Sequence, residues 1–220
     1  EVVAHRMVWG LVSVAIWVTL RGRWADARAV ASRPGTALRL AGSGALIIDC
    51  HTHLASPVVL PPVFFDGWTE NIRRLLPPKL PRAHVDRIAQ SFRLALEDPD
   101  GDQLIADMDA AGADVAVLHI IDFELGFPGQ VTPLDEVFAA HRRVLARHPG
   151  RVVVFAGVDP RRGKSGVELF ERSIAEWGFK GLKLYPPCGF SPSDPALDPF
   201  YDLCAQHRVP VRCISRQLSP

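Results

Sequence analysis

The sequence lacks paired cysteines and any long block of like charge. Its four cysteines, Cys50, Cys188, Cys204 and Cys213, lie far apart, with no CxxC pair. A domain of this size does not need disulfides, so we expect reduced thiols in a cytoplasmic protein. The 25 basic and 24 acidic side chains leave a formal net charge of +1. This balance argues against nucleic acid as a partner.

Hydrophobic runs long enough to cross a membrane are also missing. The apolar segment 7–20 has 14 residues, fewer than the ~20 that a membrane-spanning helix needs. Basic residues flank it and small residues follow it, which is the pattern of an export signal. We expect residues 1–44 to form a poorly ordered extension and residues 45–220 to form the domain. The alternative is a signal or anchor segment at 7–20, with export of the protein.

No glycine-rich phosphate loop follows the first predicted strand, which argues against a dinucleotide-binding fold. From residue 45 onward, apolar strands alternate with amphipathic helices, as in a parallel sheet covered by helices. The proline-rich segment 57–81 is predicted to be an irregular loop. The five predicted strands lie in the segments 45–49, 114–121, 151–160, 179–187 and 209–214.

Polar side chains at the ends of these strands favour a barrel over an open sheet, because barrel enzymes build their active sites at that end. The predicted fold is therefore α/β: a partial TIM (β/α)8 barrel of about four to five β/α units, with an irregular N-terminal extension. The residues at the strand ends are His51, His53, His119, Asp122, Asp159, Lys183 and Tyr185.

Two histidines, one residue apart, end the first predicted strand in the segment LIIDCHTHL. Residues i and i+2 of a strand face the same way, about 6.6 Å apart. His51 and His53 can therefore close on one metal ion, and two hydrogen-bonded core histidines are the alternative. A catalytic zinc takes about three protein ligands, so the pair forms part of a site. Asp49 is predicted to orient an imidazole or the strand backbone, or to be a solvated carboxylate.

The segment IIDCHTHL resembles the first-strand metal motif of the amidohydrolase superfamily. The segment GFKGLKLYPPCGFSPSDPALDPFYDLCAQHRVPV is similar to the fourth-strand region of its amidohydrolase-related branch, and the resemblance spans about residues 46–211. It implies a (β/α)8 barrel with one or two divalent ions, usually zinc. Such proteins hydrolyse amide, lactone or similar bonds of small molecules, and some remove a carboxyl group from aromatic or enol acids.

The resemblance gives Lys183 two possible roles. It implies a carboxylated lysine that bridges two metals, as in cyclic amidases, or a lysine that is not needed because one metal suffices. A lysine that reaches solvent or Asp159 is the alternative. Tyr185, His119 and Trp68 are predicted substrate contacts, with a hydrogen-bonded histidine and a loop-anchoring aromatic ring as alternatives for the last two. Four further histidines are predicted to lie at the surface: His84, His141, His148 and His207.

The end of the sequence departs from the family pattern. The fifth strand of the relatives leads into a metal-binding histidine, whereas Val211 is followed here by RCISRQLSP, with no histidine after His207. The family's later histidine and catalytic aspartate are also missing. The tail looks like a shifted reading frame or an early stop. We therefore expect half a barrel, weak or missing activity, and self-association through an open strand edge.

Three functions remain open at this level. The first is a metal-dependent hydrolase or decarboxylase of the amidohydrolase-related type, impaired by truncation. The second is a non-catalytic remnant, or a half-barrel that pairs with a second half. The third is a metal-dependent phosphoesterase, a class that shares the His-X-His start.

Overall fold

The computed structural model describes residues 46–75, 81–127 and 131–214. Its five strands form one sheet in which every neighbouring pair is parallel and the spatial order follows the sequence. This is the arrangement of the first five β/α units of a (β/α)8 barrel, which confirms the predicted fold. The strands are β1 (Ile48–Thr52), β2 (Val115–His119), β3 (Val152–Gly157), β4 (Gly181–Leu184) and β5 (Val211–Cys213).

Helices follow each of the first four strands, because neighbouring parallel strands need a crossover connection, which is usually an α-helix. Three helices separate β1 from β2, and one separates each later pair of strands. Three short 3₁₀ helices lie in the described loops, at Pro160–Arg162, Pro186–Cys188 and Pro195–Leu197. The α-helices are α1 (Pro62–Leu75), α2 (Arg82–Leu96), α3 (Asp102–Ala111), α4 (Leu134–Arg147), α5 (Lys164–Ala175) and α6 (Asp198–His207).

The main core lies between the central strands and the helices that cover them. Alternate residues of β2 and β3, such as Leu118 and Val154, are completely buried, because β-branched and aliphatic side chains fit a pleated surface covered by helices. Helices α4, α5 and α6 contribute apolar residues to the same cluster, and four phenylalanines are its largest members. These are Phe138, Phe170, Phe179 and Phe200.

Strand β1 is exposed, although its near-continuous aliphatic run is typical of a strand buried on both faces of a parallel sheet. Ile48 is 45% exposed, and Asp49 and Cys50 are exposed as well. The reason is that β1 pairs only with β2 in the described sheet. An aliphatic run therefore predicts a strand but does not tell how many neighbours cover it.

The prediction of an irregular loop at 57–81 is wrong for the central part of that segment, which forms α1. Pro62 occupies the first position of this helix, where its missing N–H and fixed φ angle are compatible with helical structure. The clustered prolines thus mark the start of the helix and do not disrupt it. Phe65 on this helix is buried.

The predicted extension 1–44 lies outside the described residues. Within the described part of the chain, every helix is too short or too polar to span a lipid bilayer.

The prediction of a surface location is wrong for His141, which is completely buried on α4. Its Nδ1–H donates to the carbonyl oxygen of Val137 at 2.8 Å, and its Nε2 has no partner among the described residues. Burial lowers the pKa of His141 to about 4, because a charged imidazole in the core loses its hydration.

This buried imidazole is expected to make the fold acid-labile. Above pH ~6.5 both states hold a neutral His141; below it the unfolded state takes up a proton that the folded state refuses. Stability should therefore fall by up to roughly 3 kcal/mol as the pH drops from 6.5 towards 4. Urea unfolding against pH should show a shallower loss for His141→Met than for wild type. The exposed-site control His84→Gln should match wild type, and equal slopes for all three proteins would contradict the assignment.

Candidate metal centre

The two histidines of the first strand converge, as their i, i+2 spacing predicts. The Nε2 atoms of His51 and His53 lie 3.2 Å apart. The pairing of β1 with β2 shifts register between Asp49 and Thr52, so the strand is irregular where the histidines project. Two nitrogens bound to one zinc at about 2.0–2.1 Å lie roughly 3.3 Å apart in a tetrahedral site. The observed spacing therefore suits two ligands of one ion.

Asp49 holds the backbone of this irregular strand end. Its carboxylate accepts hydrogen bonds from the backbone N–H of His51 at 3.0 Å and from the Thr52 hydroxyl at 2.9 Å. Of the roles predicted for Asp49, the structure therefore favours fixing the local backbone over orienting an imidazole. Aspartate side chains commonly accept hydrogen bonds from groups two or three residues further along the chain, and such bonds fix the backbone where a strand ends.

The tautomer of His53 follows from its partner. Its Nδ1 lies 2.8 Å from the carbonyl oxygen of His119, and a carbonyl only accepts, so Nδ1 carries the proton. The Nε2 lone pair of neutral His53 is then free and points towards His51. Holding one ring nitrogen by a carbonyl, with the other left free, is the usual support of a metal-binding histidine.

His119 supports the pair through its backbone, and its ring braces the strand. The ring Nε2–H donates to the Cys50 carbonyl oxygen at 2.9 Å, and the side chain is completely buried. The Nδ1 atom of His119 has no partner among the described residues. His119 therefore ties the end of β2 to β1 on both sides of His51. It is a hydrogen-bonded histidine, the alternative to the predicted substrate contact, and only its bracing of β1 was not predicted.

Arg212 of β5 is the neighbour that sequence reasoning missed. Its Nη2 lies 3.5 Å from Nδ1 of His51, at the outer limit of a hydrogen bond. Arg212 only donates, so His51 accepts at Nδ1 and carries its proton on Nε2. Without a metal, this Nε2–H points at the free lone pair of His53. The interaction chain therefore runs from Arg212 through His51 and His53 to the His119 carbonyl.

Burial and positive charge keep these imidazoles neutral. Burial, followed by the charges of Lys183 and Arg212, lowers the pKa of His51 to about 4. Burial and the charge of Lys183 also lower the pKa of His53 well below its ordinary value. Burial is the main cause that lowers the pKa of His119 to about 4. Neutral imidazole is the form that binds metals.

Lys183 lies completely buried beside the histidines, on β4. Its Nζ has no hydrogen-bond partner among the described residues. Burial, followed by the charge of Arg212, lowers the pKa of Lys183 to about 7. The ammonium therefore does not reach solvent, and Asp159 is engaged elsewhere, by Arg161. This placement removes the alternative of a solvated rim lysine.

Tyr185 is not part of the arrangement around the histidine pair. Tyr185 packs in a separate apolar cluster with Ile121, Phe123 and Cys188, and its ring meets that of Phe123 edge to face. Trp68 belongs to α1, but its side chain lies outside the described residues. Its predicted contact with substrate stays a prediction.

A second polar network joins the loops that follow β2 and β3. The Arg162 guanidinium binds Asp122 through two hydrogen bonds and reaches Glu124 with a third. Its neighbour Arg161 binds the buried Asp159 in the same two-pronged way. Two-pronged arginine–carboxylate pairs fix both distance and orientation. The network therefore holds the ends of the strands in place, and its carboxylates are neutralised.

The residues present fit a divalent ion in two of its coordination positions. His51 and His53 supply two nitrogens at the right spacing, and His53 already has its lone pair free. Within the described residues, no three His, Cys, Asp or Glu side chains come together as a metal-binding group. The nearby cation Arg212 also favours the tautomer of His51 that cannot bind a metal through Nε2. We therefore expect weak metal binding by the described residues alone.

Comparisons with known proteins concern the family and the fold of the chain. A sequence profile of the family described as Amidohydrolase matches residues 48–215. No curated protein sequence matches significantly. Solved structures share the fold at low identity, and the chain spans about half the length of each.

One similar structure is a 5-carboxyvanillate decarboxylase from Novosphingobium aromaticivorans with bound manganese and 3-methoxy-4-hydroxy-5-nitrobenzoic acid, at 21% identity and a TM-score of 0.52, covering 76% of this chain and 50% of that one. A second is a dihydroxybenzoic acid decarboxylase from Polaromonas sp. JS666 with manganese and 2-nitroresorcinol, at 19% identity and a TM-score of 0.51, covering 80% and 51%. A third is a 2,6-dihydroxybenzoate decarboxylase complexed with 2,6-dihydroxybenzoate, at 18% identity and a TM-score of 0.50, covering 80% and 52%.

Proposed function

Since the chain belongs to the amidohydrolase family, we propose that His51 and His53 hold a divalent cation and that this centre removes the carboxyl group from an aromatic acid. The observation that carries the proposal is the 3.2 Å separation of the two Nε2 atoms. It is supported by the fixed Nδ1–H of His53, which leaves that residue ready to bind. A small-molecule acid is the proposed substrate.

Decarboxylation is favoured over hydrolysis of an amide or lactone by two observations. The three similar structures described above are decarboxylases, and each holds a bound aromatic compound. Independently, Lys183 on β4 and Arg212 on β5 are register partners, and the positive charge of each lowers the pKa of His51. Such groups attract an acid and offer little to a neutral amide.

The chain's own residues have distinct parts in this reaction. A bound divalent ion would supply a Lewis acid that orients and polarises substrate oxygens. The carbonyl of His119 holds Nδ1–H of His53, and the carboxylate of Asp49 fixes the backbone of His51. When the carboxyl group leaves, a proton must take its place on the ring carbon. We propose that Nζ of Lys183, whose pKa burial lowers to about 7, transfers that proton.

Lys183 also keeps its predicted role as a ligand. A carboxylated Lys183 would add an oxygen ligand to the two imidazoles and complete a set of three protein ligands. A mass gain equal to one CO₂ on Lys183, seen by native mass spectrometry in bicarbonate buffer, would support this form. Without it, the lysine acts as the free amine described above.

The identity of the cation is a separate part of the proposal. Zinc is predicted, because imidazole ligands bind zinc more tightly than manganese. Two of the similar structures hold manganese, which makes manganese the alternative. Competition between the two ions, followed by manganese electron paramagnetic resonance, would distinguish them.

The direct test is CO₂ release from 2,6-dihydroxybenzoate by the purified chain, with zinc or manganese added. We expect slow release that requires the metal and disappears with chelator or in His51→Ala, because the described residues supply only two imidazole ligands. Hydrolysis of an amide or lactone instead would favour the hydrolase alternative. Metal binding without any turnover would favour the non-catalytic alternative.

Self-association is proposed for the two edge strands of the described sheet. Ile48 of β1 is 45% exposed and Val211 of β5 is 41% exposed, and unpaired strand edges with apolar side chains tend to pair with another chain. The expected species is therefore larger than a monomer in sedimentation analysis.

A further inference from the structure

Two basic side chains on the neighbouring strands β4 and β5 lie next to each other, without an acidic partner among the described residues. Lys183 and Arg212 are register partners on these parallel strands, so their side chains project from the same face of adjacent strands, about 4.8 Å apart at the backbone. Lys183 is 1% exposed. Among the described residues, Nζ of Lys183 and Nε of Arg212 are both buried without a hydrogen-bond partner.

This arrangement is unusual for the molecule itself. The two arginines at the strand ends, Arg161 and Arg162, each bind a buried carboxylate through two hydrogen bonds. Lys183 and Arg212 have no such carboxylate within the described residues. A buried donor without an acceptor is unfavourable, and more so when it is charged. A ligand that brings acceptor oxygens would remove that cost.

A carboxylate is the ligand that best matches the donors of Lys183 and Arg212. Arg212 is always charged, and its planar guanidinium offers paired N–H donors that fit two oxygens of a planar anion. Lys183 donates from Nζ in either protonation state. One permanent positive charge matches a monoanion better than a phosphate dianion. An aromatic acid is the form that agrees with the proposed function.

Arg212 also connects this pair to the histidines. Its Nη2 faces Nδ1 of His51 at 3.5 Å, and its charge opposes a proton on that nitrogen. Binding of a metal through Nε2 of His51 requires the tautomer that carries the proton on Nδ1. A carboxylate on Arg212 would offset the charge of the guanidinium and make the metal-binding tautomer less costly.

We propose that Lys183 and Arg212 form a carboxylate-binding site that works without metal, and that the acid and the divalent cation on His51 and His53 bind cooperatively. The site itself stands on the unpartnered donors; the cooperativity rests on the proposed function. By linkage, the acid must raise metal affinity by the factor by which the metal raises acid affinity. We expect a factor of about 10, within the range usual for coupled sites.

Calorimetric titration of the full chain with benzoate, with and without saturating Mn²⁺, tests both parts. We expect benzoate to bind metal-free protein and to bind about tenfold tighter with Mn²⁺. Arg212→Gln and Lys183→Met should each weaken benzoate binding by at least about tenfold, and the control Lys180→Met, an exposed lysine just before β4, should match wild type. Arg212→Gln should also bind Mn²⁺ more tightly than wild type when benzoate is absent.

The outcomes separate this inference from the proposed function. Equal benzoate affinity in wild type, Arg212→Gln and Lys183→Met would overturn the carboxylate site, even if Mn²⁺ binds the histidines. Tighter binding of inorganic phosphate than of benzoate would overturn the assignment to carboxylates. Benzoate binding that depends on Lys183 and Arg212 in a protein that does not bind Mn²⁺ would support the site and contradict the metal centre. Lys183→Met is expected to fold, because methionine fills a similar volume without a buried amine.

Discussion

Replacing His53 by alanine is expected to lower the affinity for zinc or manganese by more than about 100-fold, since loss of a mere supporting partner already costs ~10–100-fold. His53 has the stronger claim of the two histidines, because its Nδ1–H is held by the His119 carbonyl at 2.8 Å and its Nε2 lone pair is free. His51 must first move its own proton away from Nε2. We therefore expect His51→Ala to weaken binding less than His53→Ala.

The measurement is a titration with a competing chromophoric chelator, for both variants and for His84→Ala. His84 lies exposed on α2, so its loss controls for the removal of an imidazole anywhere on the chain. Circular dichroism must show intact helices in every variant. Equal affinity of His53→Ala and wild type would contradict the assignment of this pair, and a large effect of His84→Ala would place the binding elsewhere.

Gly157→Ala is expected to destabilise the fold by about 3 kcal/mol or more, at the upper end of what added core atoms cost. A Cβ on Gly157 would lie 2.0 Å from the carbonyl oxygen of Ile120 and 2.7 Å from its carbonyl carbon. Both are backbone atoms, so no side chain can rotate to make room. The end of β3 would have to move away from the segment that follows His119. His119 itself braces the histidine pair, so the pair would be disturbed as well.

The matched control is Gly67→Ala on α1, where an added Cβ meets no atom within 4 Å. Alanine in a helix is favoured over glycine by up to ~1 kcal/mol, so this variant should be slightly more stable than wild type. Urea unfolding of the three proteins gives the comparison. Similar stabilities for Gly157→Ala and Gly67→Ala would contradict the close backbone contact between β2 and β3.

The parallel fold could be predicted because its signal is local. Apolar strands such as 152–157 and amphipathic helices such as α4 alternate along the chain, and that order alone specifies a parallel sheet. Three errors arose where local patterns have more than one meaning. The prolines before α1 are compatible with a helix start, and the aliphatic run of β1 carries no information on its neighbours. The burial of His141 was missed for the same reason, since a lone histidine on a helix fits either face.

The candidate site could be predicted only in part. His51 and His53 share a strand, so the period of the strand brings them together without any knowledge of the fold. Arg212 lies far away in the sequence and reaches His51 only through the register of β4 with β5. That register depends on packing across the whole sheet. The support of His53 by the His119 carbonyl was missed because backbone groups leave no trace in residue type.

The most direct test of the central claim follows the ring nitrogens of the 8 histidines by long-range ¹H–¹⁵N correlation spectroscopy during titration with zinc. We expect His53 to start with its proton on Nδ1 and His51 with its proton on Nε2. Both Nε2 signals should then take metal-bound positions together, at one equivalent of zinc. Zinc-induced shifts at other histidines, with His51 and His53 unchanged, would contradict that claim.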